Sequence, residues 1–308
     1  WPRSSSVPES SSRLNTGITV RWLARPFTCW RGRSQTSRLG FKFLVIVCAL
    51  IGIVIPMSLG ANAQTDTNDI VVVDLDGQIN NVTSRFLSRT LNNAKREEEG
   101  LVVIRLDTPG GMLDATREMV RQIITSPFPV AVYVAPEGAQ AASAGTFLVA
   151  AASVAAMAPA TNIGSASVVG AQGEDLGPTI GRKANEDAAA ELRSIAQLRG
   201  RNEDALAATV FDAKSYSARE AVDIGIVDLL AFDLHQLLDL MDGRSLPIHE
   251  GTRVVVTDDV PVRFVAPNLI ELVLGFLANP NVAFLLISIG GTAIVIELWH
   301  PGALVPGL

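Results

Sequence analysis

Leu101–Gly111 reads LVVIRLDTPGG. Apart from Arg105, its first six residues are leucine or β-branched, the composition of a strand. The strand runs into Asp107-Thr108-Pro109-Gly110-Gly111, a tight turn. Upstream, Ile70–Leu75 (IVVVDL) is a second such strand, closed by Asp76-Gly77. Between the two, Asn81–Arg96 carries Val82, Phe86, Leu87 and Leu91 at helical spacing. Downstream, Met112–Ile124 reads as a helix and Pro129–Val134 (PVAVYV) as a third strand. Ser143–Ala152 is a helix of small residues after a Gly/Ala-rich loop. Strands and helices alternating at this spacing imply β–α crossovers and a largely parallel sheet, the α/β class.

Further along, Lys183–Leu198 is helical, with Ala188, Leu192, Ile195 and Leu198 on one face. Ser217–Asp228 reads as a capped helix, a stop at Gly225 and a short strand. Gly170–Gly181 holds four glycines and one proline and reads as a mobile loop.

The chain has 308 residues, 48% of them hydrophobic and only 18% charged, which points to membrane segments beside a soluble core. Residues 1–63 carry a net charge of +7 and the remainder −13. An acidic body lacks the basic footprint that nucleic-acid binding needs. Phe43–Ile55 (FLVIVCALIGIVI) is a charge-free apolar run after Arg31, Arg33, Arg38 and Lys42, and Ala61-Asn62-Ala63 follows it. That succession is the layout of a secretory signal peptide; a retained anchor helix is the alternative. Residues 1–37, rich in Ser and Arg and opening on Trp1, read as an over-extended or fragmentary start. Cys29 and Cys48 both precede residue 63, so a chain cut there has neither a thiol nucleophile nor a disulfide framework.

What the core lacks narrows its chemistry. His235, His249 and His300 are the only histidines, so residues 64–234 contain none and cannot build a Ser-His-Asp triad among themselves. His235, among Leu234, Leu237 and Leu238, reads as a structural residue. After residue 63 there are three lysines: Lys95, Lys183 and Lys214. Lys95 lies in a charged tail (KREEEG), and Lys214 precedes a helix start. Lys183 opens a helix directly after the glycine-rich loop. A lysine can act as a base for serine when burial lowers its pKa toward neutrality; otherwise Lys183 is an ordinary surface residue. Ser143 opens a helix within GAQAASAG, where free N–H groups and the helix dipole can stabilise an oxyanion. Its alternative is a plain N-cap. Gly110-Gly111 is a second candidate source of oxyanion donors, or merely a turn.

Together Ile104–Gly111 (IRLDTPGG), Ala141–Phe147 (AASAGTF), Met157–Gly164 (MAPATNIG), Lys183–Gln197 (KANEDAAAELRSIAQ) and Ser217–Asp228 resemble the NfeD long-form family. These are ClpP-class membrane serine proteases related to signal peptide peptidase A and to the crotonase fold. The resemblance covers about residues 69–308. It implies a ClpP/crotonase-like superhelix of ββα units, followed by the start of a helical transmembrane region. It further implies Ser143 as nucleophile, Lys183 as base, the Gly111 and Ala144 N–H groups as oxyanion hole, and Gly110 and Gly145 beside the substrate. The substrate is expected to be a hydrophobic segment of a stomatin-like membrane protein. A homodimer or higher homo-oligomer is expected, with the active site near the protomer interface and the protease domain on the extracytoplasmic, periplasmic side. No metal or organic cofactor is called for. A signal peptide peptidase A type protease and a catalytically vestigial membrane scaffold remain the alternatives.

Asn268–Leu277 (NLIELVLGFL) is apolar and amphipathic, with Glu271 its only charge. Asn279-Pro280 breaks it. Val282–Ile296 is then free of charge and, extended to Trp299, is long enough for a first span. The resulting organisation is a leader over 1–63, a protease domain over 64–245, a linker over 246–267 and a membrane segment over 268–308. Relatives continue beyond this point, so a truncated membrane domain is expected. Cleavage between Ala63 and Gln64 during export is the expected processing; N-terminal sequencing of the exported protein should begin at Gln64.

Overall fold

A computed structural model describes residues 69–170 and 173–300. The leader, both cysteines and residues 301–308 lie outside the described residues.

The two long strands expected from the sequence are β1 (Ile70–Asp76) and β2 (Leu101–Asp107), joined through helix α1 (Asn81–Arg96). They pair in parallel over their whole length, Ile70 beside Leu101 through Asp76 beside Asp107. Helix α2 (Leu113–Ile124) leads to β3 (Val130–Val134); β5 (Val154–Met157) and β8 (Leu229–Leu230) complete one side of the sheet. With β11 (Val262–Val265) at the far edge, its order is β11-β1-β2-β3-β5-β8, and every pairing is parallel. These strands are nearly continuous apolar runs because both faces of the sheet are covered. Val71, Val73, Val102, Ile104, Val130 and Val132 enter one core. Ile70, Val72, Leu101, Val103, Ala131 and Tyr133 enter the other. The Tyr133 hydroxyl there donates to the Ala231 carbonyl at 2.9 Å, and burial pushes its pKa up to about 12.

Short strands add a second layer. β4 (Gln140–Ala142) pairs in parallel with β6 (Asn162–Gly164), which pairs antiparallel with β7 (Ser215–Ser217). The chain thus runs β3, β4 and helix α3 (Ala144–Ala151), then β5, β6 and helix α4 (Pro178–Arg199). These are the ββα units of the expected α/β superhelix. Helices α5 (Glu203–Phe211), α6 (Ala218–Asp223) and α7 (Leu234–Met241) follow.

Two boundaries differ from the sequence reading. Helix α4 starts at Pro178, so the glycine-rich loop ends at Gly177. Proline at the first helical position has a preset φ and no N–H to satisfy, and this outweighs the loop signal of Gly181. Residues 246–267, read as a linker, include β10 (Thr252–Val254), which pairs with β9 (Ser245–Pro247), and β11 (Val262–Val265). β11 is an edge strand of the main sheet against β1. Its four residues, one of them Arg263, are too few and too mixed to show the period of a strand. Arg263 pairs with Glu97 at 2.7 Å and with Glu99, whose own burial raises its pKa.

Helix α3 has no basic residue in its last turn. Arg199, the last residue of α4, and Arg201 just beyond it serve that end instead. Arg199 Nε donates to the Ala151 carbonyl at 2.8 Å and Arg201 Nη1 to the Ala150 carbonyl at 3.2 Å, placing cations at the negative end of the helix. Arg201 also pairs with Asp228 at 2.7 Å, and the same carboxylate oxygen accepts the Ala155 N–H. Burial lowers the pKa of Arg201. Burial, helped by the neighbouring Arg201 charge, pushes Arg199 down to about 10. Arg201→Ala removes one partner of a buried pair and should cost about 3 kcal/mol, the lower part of the usual range because Asp228 keeps partial contact with water. Urea denaturation measures it.

Candidate active site

The site forms where the loops after β1, β2 and β3 meet at the carboxyl end of the sheet. Backbone hydrogen bonds join them. Gly77 N donates to Asp107 O at 2.9 Å, Ile79 N to Gly110 O at 2.9 Å, and Met112 N to Ile79 O at 2.8 Å. On the other side Thr108 N donates to Gln140 O at 2.7 Å and Ala142 N to Thr108 O at 3.0 Å. The bridge between Ile79 and Gly111 uses the Gly110 carbonyl and the Met112 N–H, which leaves the Gly111 N–H out of the ladder. The first N–H of α3, on Ala144, is one of the four that a helix start cannot satisfy internally.

Both glycines of the turn are required by contact. Gly110 has φ of +122°, and a methyl there would stand 2.8 Å from Ser143 Cβ and 3.3 Å from Ser143 Oγ. A methyl on Gly111 would collide with the Ile79 carbonyl. Gly145 is buried, and its missing side chain lets α3 approach the Thr108 methyl, Ala141 and Leu106.

Ser143 occupies the N-cap position of α3, yet its side chain makes no capping hydrogen bond. Its backbone has φ 49° and ψ −109°, outside the ordinary regions for an L-residue. Backbone strain of this kind persists only where the surroundings impose it. Here Ser143 N donates to the Gly164 carbonyl at 2.8 Å, and Thr146 Oγ1 contacts both Gly164 O and Ala141 O at 3.1 Å. The plain-cap alternative therefore lacks its hydrogen bond, and Ser143 Oγ stands beside Gly110 at a strained strand-to-helix turn.

Lys183 lies in the second turn of α4 and is exposed. The burial expected of a lysine base is not provided by this chain alone. Residues 178–187 are exposed or half-buried, and burial begins at Ala188. The rotation of the helix is nonetheless set. Arg117 of α2 pairs with Asp187 and, at 2.9 Å, with Glu191. Positions 183, 187 and 191 recur every four residues, so Lys183 shares the stripe that meets α2. Asn185 Oδ1 also accepts the Val168 N–H at 2.8 Å. Of the other lysines, Lys95 is exposed, and Lys214 lies 4.8 Å from the centre of the Tyr216 ring. His235 is exposed and faces Asp239 at 3.0 Å, not buried as a structural histidine.

Sequence reasoning did not single out Ile79, Thr108, Arg117 or Gly164. Thr108 is fully buried, accepts the Gly110 N–H at 3.0 Å and approaches Gly110 O at 3.2 Å. Only its place inside DTPGG could have drawn attention to it. A cavity of about 760 Å³ adjoins Pro109, with Asn80, Thr83, Phe86, Leu272 and Phe276 in its wall.

Residues 69–238 match the family model of the NfeD1b N-terminal domain. The chain belongs to the NfeD1b family. It is 33% identical over 243 residues to the membrane-bound protease PH1510 of Pyrococcus horikoshii, covering 78% of this chain and 55% of that protein. With the membrane protein NfeD1b of Bacillus subtilis it shares 26% identity over 266 residues, 84% of this chain and 58% of the relative. The chain thus spans little more than half the length of either. Among solved structures, a mutant of the 1510-N membrane-bound stomatin-specific protease in complex with a substrate peptide superposes with a TM-score of 0.63 at 30% identity, over 68% of this chain and 98% of that one. The 1510-N membrane protease from Pyrococcus horikoshii specific for a stomatin homolog gives 0.60 at 29% identity, over the same shares.

Thr108→Val keeps the methyl against Gly145 and deletes the hydroxyl. The Gly110 N–H is left without its acceptor, and a loss of about 1–3 kcal/mol is expected in chemical denaturation.

Proposed function

We propose that this chain is a membrane-anchored serine endopeptidase working through Ser143 and Lys183. The observation that carries this reading is Ser143 itself: a helix-start serine in a strained backbone, free of capping duty and pressed against Gly110. In the proposed reaction Ser143 Oγ bonds to the scissile carbonyl carbon and its proton passes to Lys183 Nζ. Negative charge develops on the carbonyl oxygen and is met by the Gly111 and Ala144 N–H groups. As the tetrahedral intermediate collapses, the peptide C–N bond breaks and Lys183 returns the proton to the leaving amine. Water then hydrolyses the acyl-serine by the same route. Gly110 and Gly145 let the backbone come close to Ser143 and to the substrate.

Lys183 is exposed in the single chain, so the dyad is complete only when something covers the first turns of α4. A bound peptide or a second copy in a homodimer or higher oligomer would do so. The proposed substrate is an apolar segment of a stomatin-like membrane protein. Its support is twofold: the solved relative's specificity for a stomatin homolog, and a cavity beside Pro109 walled by Phe86, Leu272 and Phe276. The protease domain is placed on the extracytoplasmic side, following the signal-type leader.

A fluorophosphonate probe is expected to label the wild-type chain at Ser143, and Ser143→Ala should lose both labelling and peptide hydrolysis while keeping its melting temperature. Arginine cannot give up its proton, so Lys183→Arg should be as inactive as Lys183→Ala. Near-normal turnover in Lys183→Arg, or a dead Lys95→Ala or Lys214→Ala instead, would reject the dyad. An unlabelled but folded wild type would favour the scaffold alternative.

A further inference from the structure

After β11 the chain forms two consecutive helices, α8 (Leu269–Ala278) and α9 (Pro280–Trp299). At 1.5 Å per residue, the 20 residues of α9 extend about 30 Å, the thickness of a bilayer's hydrocarbon core. Its segment Asn281–Trp299 has a mean hydropathy of 2.1 and none of it is buried. The 10 residues of α8 extend only about 15 Å, half of what a span requires. Yet no residue of α8 is buried, although nine of its ten residues are apolar or glycine.

One side of α8 meets the protease domain and the rest of the helix is exposed, Leu272 and Phe276 included. Glu271 and Gly275, one turn apart, are its only half-buried residues and face the protease domain. Both Glu271 oxygens accept from Arg89 of α1, at 2.8 and 2.7 Å, and Arg89 also donates to the Ala266 carbonyl. Glu271 further accepts the Asn268 N–H in a capping box. The hydrogen bond from Arg89 is the main reason that the Glu271 carboxyl titrates below its usual range. The one charge on the helix is thus held on the side away from solvent. On the opposite side Leu269 and Ile270 are 72% and 70% exposed, and Val273 and Leu277 49% and 45%. At 3.6 residues per turn those four fall within an arc of about 100°, centred opposite Glu271 and Gly275.

We propose that α8 lies in the plane of the bilayer interface, with Leu269, Ile270, Val273 and Leu277 among the upper acyl chains, and that the Arg89–Glu271 pair fixes the protease domain to it. The occupant of this face is lipid, because α8 passes into the span-length α9 through Asn279 alone. If α9 enters the hydrocarbon at Pro280, the end of α8 can only be at the interface. A short helix with an apolar arc and its charge turned away is the form that inserts shallowly rather than spans. This inference rests on reading α9 as a membrane span.

The test uses the full chain in phosphatidylcholine/phosphatidylglycerol vesicles, with Cys29 and Cys48 replaced by serine. Single cysteines at Ile270, Val273 and, as the α9 control, Ile289 carry an environment-sensitive nitrobenzoxadiazole label. Lipids with a nitroxide near the headgroup or deep in the chain act as quenchers. The expected result is blue-shifted emission at 270 and 273 that the shallow quencher reduces more than the deep one, and the reverse order at 289. Water-like emission at 270 and 273 with a lipid-quenched 289 overturns the inference while leaving the membrane reading intact. Blue-shifted emission at 270 and 273 that no lipid quenches shows a protein-covered face and also overturns it. A label at 289 that no lipid reaches removes both.

Discussion

The site depends on close approach between backbones at Gly110 and Gly111. The loop after β2 passes between Ile79 on one side and Ser143 on the other, with no space for a Cβ at either glycine. That contact registers three loops against one another through the Ile79, Thr108 and Ala142 hydrogen bonds. It also holds Ser143 in a backbone conformation that its own preferences disfavour. Strain of this order, about 1–3 kcal/mol, is carried by the parallel sheet and by the buried Thr108 and Thr146 hydroxyls around it.

The same layout explains how the domain is secured farther from the site. The negative end of α3 is met by Arg199 and Arg201, and Arg201 is bound in turn to Asp228 ahead of β8. The helix that begins at Ser143 is therefore fixed at both ends: at its start by loop geometry, at its finish by charge. Helix α4 is fixed differently. Its second half is packed into the core through Ala188, Ala189 and Leu192, whereas its first half is exposed or half-buried, with Asn185 bonded to Val168 N–H and Asp187 paired with Arg117. A helix so held keeps its rotation but leaves Lys183 in water, and the proposed Ser143–Lys183 dyad would be complete only with those turns covered.

The apolar end of the chain carries the same logic toward a membrane. Arg89 connects the helix that follows β1 with the helix that precedes the candidate span. The cavity beside Pro109 is walled by both of those helices.

How much was legible in advance differs by element, for physical reasons. Long β-branched runs such as Ile70–Leu75 and Leu101–Leu106 allow little besides buried strands, so the parallel α/β sheet could be read directly from the residues. DTPGG was readable as a tight turn, because few residues other than glycine permit one, whereas the role of the serine in AASAGTF was marked out by the family resemblance. Pro178 was misread, since a proline at a helix start and a proline in a loop look alike in sequence. β11 was missed because four residues show too little periodicity, and its strand character comes from pairing with β1, nearly two hundred residues away. Ser143 and Lys183 stood out in the sequence as candidates, through a helix-start serine and the scarcity of lysines, and the family resemblance implied their roles as nucleophile and base. Their environments were decided only by tertiary structure: strain at one and exposure at the other depend on which distant backbones come into contact.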